Sequence, residues 1–91
     1  MRTIHKYPLL INDEDHPVML PGNCKMLLVD VQCGLICLWV ELDDTHEIAD
    51  PSFFRVFGTG QKIPSNYKHL ASCQGPPFVW HVYRREGMDH E

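Results

Sequence analysis

Phe57 to Pro64 reads F-G-T-G-Q-K-I-P and holds the chain's best supply of groups for binding an anion. Gly58 and Gly60 flank Thr59, which lets backbone N–H groups approach a phosphate, and Lys62 adds a point charge. The full G-x-x-x-x-G-K-[ST] pattern is not spelled out and no helix is expected after the glycines, so a plain turn leaving a strand competes with the anion reading. Trp39 and Trp80, with Tyr7, Phe53, Phe57 and Tyr83, supply flat rings. Either tryptophan could stack on a base held beside Gly58, Thr59, Gly60 and Lys62, pack in the core, or anchor a partner.

His69 and His81 fall in two candidate strands separated by Gly75-Pro76-Pro77. Paired through that turn they could lie across from each other, and with Asp43 or Glu41 nearby they would make a metal or general-base site. Simple packing of His81 among Trp80, Val82 and Tyr83 is the competing reading. The chain has no G-x-S-x-G, H-E-x-x-H or C-x-x-C, and no nucleophile has a base at a recognisable offset. No enzyme, cofactor or metal is expected. Cys24, Cys33, Cys37 and Cys73 read as separate reduced thiols, mostly buried, because no dense disulfide spacing is present.

These groups must be positioned by strands. Met26 to Leu42, MLLVDVQCGLICLWVEL, is two apolar runs that meet at Cys33-Gly34. Leu27, Val29 and Val31 alternate with polar or outward positions, and Ile36, Leu38, Val40 and Leu42 do the same on the return, which is period two and predicts a central hairpin. A two-residue type I′ turn at Cys33-Gly34 would pair Gln32 with Leu35. Further strands are expected at Arg2 to Tyr7, ended by Pro8, and at Pro17 to Leu20, Phe53 to Phe57, Tyr67 to Cys73 and Phe78 to Arg84. The last is apolar on both faces, so it is interior or lies in a subunit contact. Asp13-Glu14-Asp15 and Asp43-Asp44 read as solvated loops, with mimicry of nucleic-acid charge as the sharper alternative. The expected fold is all-β, one domain over 1–91 with a frayed tail at 86–91, a small antiparallel sandwich or barrel of about six to seven strands.

Ninety-one residues make one core, and a chain this short gains from self-association, so a homo-oligomer is expected. Twelve acidic against eight basic residues give a net charge of −4, which disfavours wrapping a nucleic-acid backbone. No apolar run reaches the roughly 18–20 residues of a membrane span and no signal peptide is evident, so a soluble cytoplasmic protein is expected.

Four blocks recur together: T-I-x-K-Y-P at Thr3 to Pro8, V-x-V-Q and C-L-W within Val29 to Trp39, F-x-V-x-G-T-G-x-x-I-P at Phe54 to Pro64, and F-V-W-H-V-Y at Phe78 to Tyr83. In order and spacing they resemble a family of small tailed-phage proteins of unknown function, over most of the chain. The acidic insert Asn12 to Asp15 and Pro76-Pro77 depart from those relatives. The resemblance implies a phage protein in the cytoplasm of an infected bacterial host, and it assigns no residue a role. The resulting expectation is a non-enzymatic binding protein that captures a small anionic, nucleotide-like ligand or a host protein, with a minor virion or assembly protein and a small hydrolase as alternatives.

Overall fold

The computed structural model describes residues 1–43 and 50–86. The described residues form seven strands: β1 (Arg2–Leu9), β2 (His16–Leu20), β3 (Lys25–Gln32), β4 (Leu35–Asp43), β5 (Asp50–Gly58), β6 (Tyr67–Gly75) and β7 (Phe78–Arg85). They build a sandwich of two antiparallel sheets, a three-stranded one in the order β1-β4-β3 and a four-stranded one in the order β2-β5-β7-β6. The expected all-β class holds. The polar connection after Asp43 and the tail after Glu86 lie outside the described residues.

The hairpin β3-β4 forms as the alternation requires. Cys33 and Gly34 have φ of 53° and 79°, and Gln32 pairs with Leu35, the pattern of a type I′ turn. Ile36, Leu38, Val40 and Leu42 point into the sandwich with Leu9 and Val29, and meet Val18, Leu20, Phe54, Val56, Cys73 and Val82 from the other sheet. Each such side chain contributes about 1.5–3 kcal/mol on full burial, so this interlayer carries the fold.

Two irregularities change which residues face the core. The register of β3 shifts between Met26 and Leu28, and that of β6 between His69 and Ala71. A bulge adds one residue to one strand and reverses the alternation beyond it. Met26 therefore packs against the core with Val29 and Val31, whereas Leu27, expected on that face, is exposed. The bulged residues Leu27 and Leu70 line one shallow cavity where the edges β3 and β6 approach.

Pro8 does not end the first strand as the sequence implied. Pro8 continues β1, opposite Cys37, and Pro17 lies in β2. Both strands are sheet edges, where a missing N–H need not cost a ladder bond. Pro51 lies in β5 before the pairing with β7 begins at Phe54. The two-sided apolar strand β7 is interior, hydrogen-bonded to β5 on one side and β6 on the other. It is thus not free to add to another chain's sheet.

Candidate functional site

β7 alternates, and Phe78, Trp80 and Val82 share the face turned toward the other sheet. Val82 is fully buried, but Phe78 at the start of the strand lies in the open and Trp80 between them is half-buried. Gly58, which ends β5, and Gly75, which ends β6, both lie against the indole, and a Cβ at either position would come within 3.2 or 3.1 Å of it. The two glycines leave room for a large ring at this end of the sheet. Beyond the indole opens a cavity of about 640 Å³, lined by Phe78, Val79 and Trp80 together with Asn12, Asp13, Thr59 and Gln61.

The turn beside this cavity is closed on itself. The Gly58 N–H donates to the Gln61 side-chain oxygen, and the Gln61 N–H donates back to the Gly58 carbonyl at 3.2 Å. The Gln61 amide then donates to Asp13 Oδ1 at 3.2 Å. The Gly58 donor that an anion would use is already engaged, and a carboxylate sits next to it. Among the described residues lining the cavity, none is basic. The arrangement favours ring stacking and hydrogen-bond donors on a ligand over phosphate.

On the opposite, outward face of the four-stranded sheet, the bulge in β6 sets His69 opposite Tyr83 and Ser72 opposite His81. The Ser72 hydroxyl lies 2.6 Å from His81 Nδ1 and 2.9 Å from His69 Nε2, and Thr59 Oγ1 lies 2.9 Å from His81 Nε2. The Thr59 hydroxyl is also directed at the Val79 carbonyl, 3.5 Å away. With His81 neutral, one proton arrangement satisfies all of these contacts: His69 Nε2–H donates to Ser72, Ser72 to His81 Nδ1, and His81 Nε2–H to Thr59. Ser72 is then a hydroxyl beside a base that a third group orients, the elementary pattern of an activated nucleophile. Acyl transfer would also need donors aimed at a developing oxyanion, and both hydroxyls and three ring nitrogens here are committed to one another.

Further along the same face, Asp15 reaches across three strands. It accepts from Arg55 Nε at 2.9 Å, Tyr67 Oη at 2.7 Å and Arg85 Nη1 at 2.8 Å. Arg55 also lies over the Phe57 and Tyr67 rings, and Arg85 over Phe53. Burial alone raises a carboxyl, but the Tyr67 hydrogen bond and the two guanidinium charges outweigh it and hold Asp15 below its ordinary value. Burial and then the Asp15 hydrogen bond push the Tyr67 hydroxyl up. The acidic loop read as solvated is therefore a structural clamp at Asp15.

The model of a family described as a domain of unknown function, DUF7352, matches residues 1–91. The chain belongs to that family. No match is found among the curated proteins or among the solved structures.

Of the residues singled out from the sequence, Gly58, Thr59 and Trp80 meet at the one cavity. Gly60, with φ of 97°, turns the chain beside it and lines a smaller cavity with His81 and Tyr83. Lys62 is exposed and lines neither cavity. Trp39 lies on the other sheet, between Lys6 and Leu28 on the face turned away from the core, so it cannot share a ligand with Trp80. Glu41 and Asp43 belong to that other sheet too, where they pair with Arg2 and the amino terminus, far from the histidines. The cysteines are all free; Cys37 and Cys73 are buried, Cys24 is half-buried and Cys33 is exposed. Sequence reasoning missed Asn12, Asp13, Gln61, Ser72 and Phe78. Only Phe78 carried a signal, as the outer member of the Phe78-Trp80-Val82 alternation.

Proposed function

We propose that this chain is a non-enzymatic binding protein whose working surface is the cleft beside Trp80, and that it captures a segment of another protein. One observation carries the reading: Phe78 and Trp80, with ring centroids 5.5 Å apart, stand open to a largely apolar cavity, also lined by Asn12, Asp13 and Gln61, that is large enough for side chains of a partner. The four-block resemblance to tailed-phage proteins supports an infected bacterium as the setting and a host protein as the partner. A nucleotide would find rings to stack on but an aspartate where its phosphate should go. Self-association belongs to the same proposal and is supported by exposed Ile4, Leu28 and Leu35 around Trp39 on the three-stranded sheet.

The test is a photo-crosslinking amino acid at position 78, compared with one at position 4 on the other sheet, in bacteria expressing the protein. A discrete heterologous adduct from position 78 alone is expected. Identical adducts from both positions, or none, would remove the reading. Native mass spectrometry adds a second arm: a retained species of a few hundred daltons lost on denaturation would replace the protein partner with a small ligand.

A second reading rests on the Ser72–His81 contact of 2.6 Å and makes the chain a small hydrolase. It requires a serine-directed phosphonate probe to label Ser72 in the folded protein and His81→Gln to abolish the labelling. An unlabelled wild-type protein would dispose of it.

A further inference from the structure

We infer that the cleft beside Trp80 takes an arginine side chain of the partner segment, with its guanidinium between the aromatic wall and Asp13. This rests on the proposal that the cleft is where the chain binds. The Phe78 and Trp80 ring planes are inclined by 51°, so they form a corner rather than a slot. The polar part of the lining is held in place by hydrogen bonds: the Gln61 oxygen is fixed by the Gly58 N–H, which aims the Gln61 amide nitrogen at Asp13 Oδ1. Asp13 is thereby anchored at the rim by a neutral group. Asp15 has two arginines and Glu41 has Arg2, whereas Asp13 has no cationic partner among the described residues.

A planar guanidinium matches both the rings and the carboxylate. It stacks on ring faces and donates in pairs to a carboxylate, and it is more weakly hydrated than an ammonium, so entering an apolar corner costs it less. The Asn12 oxygen is taken up by the Glu14 N–H and by His16 Nε2, which leaves its amide N–H groups and the second N–H of Gln61 to donate to backbone carbonyls of a peptide. The net charge of −4 favours the approach of a basic segment over that of a phosphate.

The experiment uses the full chain carrying Trp39→Phe, which leaves Trp80 as the one tryptophan. It is titrated with a blocked Gly-Arg-Gly-Arg-Gly peptide, the same peptide with citrulline, inorganic phosphate, and benzyl alcohol as an uncharged ring that does not itself emit with tryptophan. The arginine peptide should shift Trp80 emission and bind about tenfold more tightly than the citrulline peptide, which has the same shape without the charge. Asp13→Asn keeps the acceptor for Gln61 and should bring the two peptides together with the melting temperature unchanged. Equal binding of the two peptides by the parent protein, or competition by phosphate, overturns the arginine assignment and leaves the cleft as a binding site. Failure of every probe, benzyl alcohol included, to perturb Trp80 overturns both.

Discussion

The Trp80 indole lies so close to Gly58 that a Cβ at position 58 would come within 3.2 Å of its Cζ3 atom. The glycine in this turn thus leaves room for the ring of the neighbouring strand, which a larger residue would have to displace by a few tenths of an ångström. Gly58→Ala should cost about 1–3 kcal/mol, the range for overpacking, and should shift the emission of Trp80 in the folded state. Gly60→Ala is the control. Nothing lies within 4 Å of a Cβ there, but φ is +97°, so the cost is backbone strain with no effect on the indole. Urea denaturation followed by tryptophan emission separates the two, and an unchanged Gly58→Ala spectrum would mean that the ring has another resting place.

Asp15 ties the loop after β1 to β5, β6 and β7, with its side chain 15% exposed. Asp15→Asn keeps the shape but removes the charge that two guanidinium groups face, and should cost about 2–3 kcal/mol at neutral pH. The folded protein holds this carboxyl below its ordinary value, so its contribution is present above the unfolded-state value, about 3.9, and is lost as pH falls through the lower, folded one. The stability gap between wild type and Asp15→Asn should accordingly close in acid. A gap that stays constant from neutral pH to pH 2 would show that the ion pairs contribute nothing.

The period-two pattern was enough to read the strands and the all-β class, because alternation reports directly which side chains face a core. It failed locally where a bulge intervened. Nothing in M-L-L-V tells which leucine is the extra residue, and the answer depends on Trp39 and Val40 across the ladder. The cleft was half legible: Gly58, Thr59 and Trp80 stood out by type, whereas Asp13, Asn12 and Gln61 are ordinary loop residues that acquire a role only when the loop after β1 folds against the turn after β5. Lys62 and Trp39 stood out equally well and lie elsewhere, since residue type says nothing about which sheet a side chain belongs to.

The register of β3 can be checked by paired truncations. Met26 packs on the core and Leu27 faces outward, the reverse of simple alternation. Met26→Ala should cost about 2–3 kcal/mol and Leu27→Ala less than about 1 kcal/mol in chemical denaturation. The opposite order would mean that the strand is unbulged.

Cys33 occupies the left-handed region at φ 53°, in a two-residue turn that prefers asparagine followed by glycine. Cys33→Asn should raise stability by about 0.5–1 kcal/mol, because asparagine tolerates this conformation better. In the wild-type protein an aromatic disulfide reagent should modify exposed Cys33 first. Cys37 and Cys73 should react only on unfolding, the Cys73 thiol being also pushed up by burial and by the Asp30 charge. Rapid modification of Cys73 under native conditions would contradict the packing.

The polar chain on the outward face fixes a proton position. Thr59 directs its hydroxyl at the Val79 carbonyl, so it accepts from His81 Nε2, and Nδ1 is left as the acceptor facing Ser72. Long-range proton–nitrogen spectra at a pH where the imidazole is neutral should show His81 protonated at Nε2. Thr59→Ala removes the acceptor and should mix the two tautomers, while Ser72→Ala should leave Nε2–H in place and change stability by less than about 1 kcal/mol, since the hydroxyl is exposed. A wild-type His81 protonated at Nδ1 would reverse the direction of every bond in the chain. Ser72 would then accept from His81 and donate to His69 Nε2, so the base beside the hydroxyl would be His69 rather than His81.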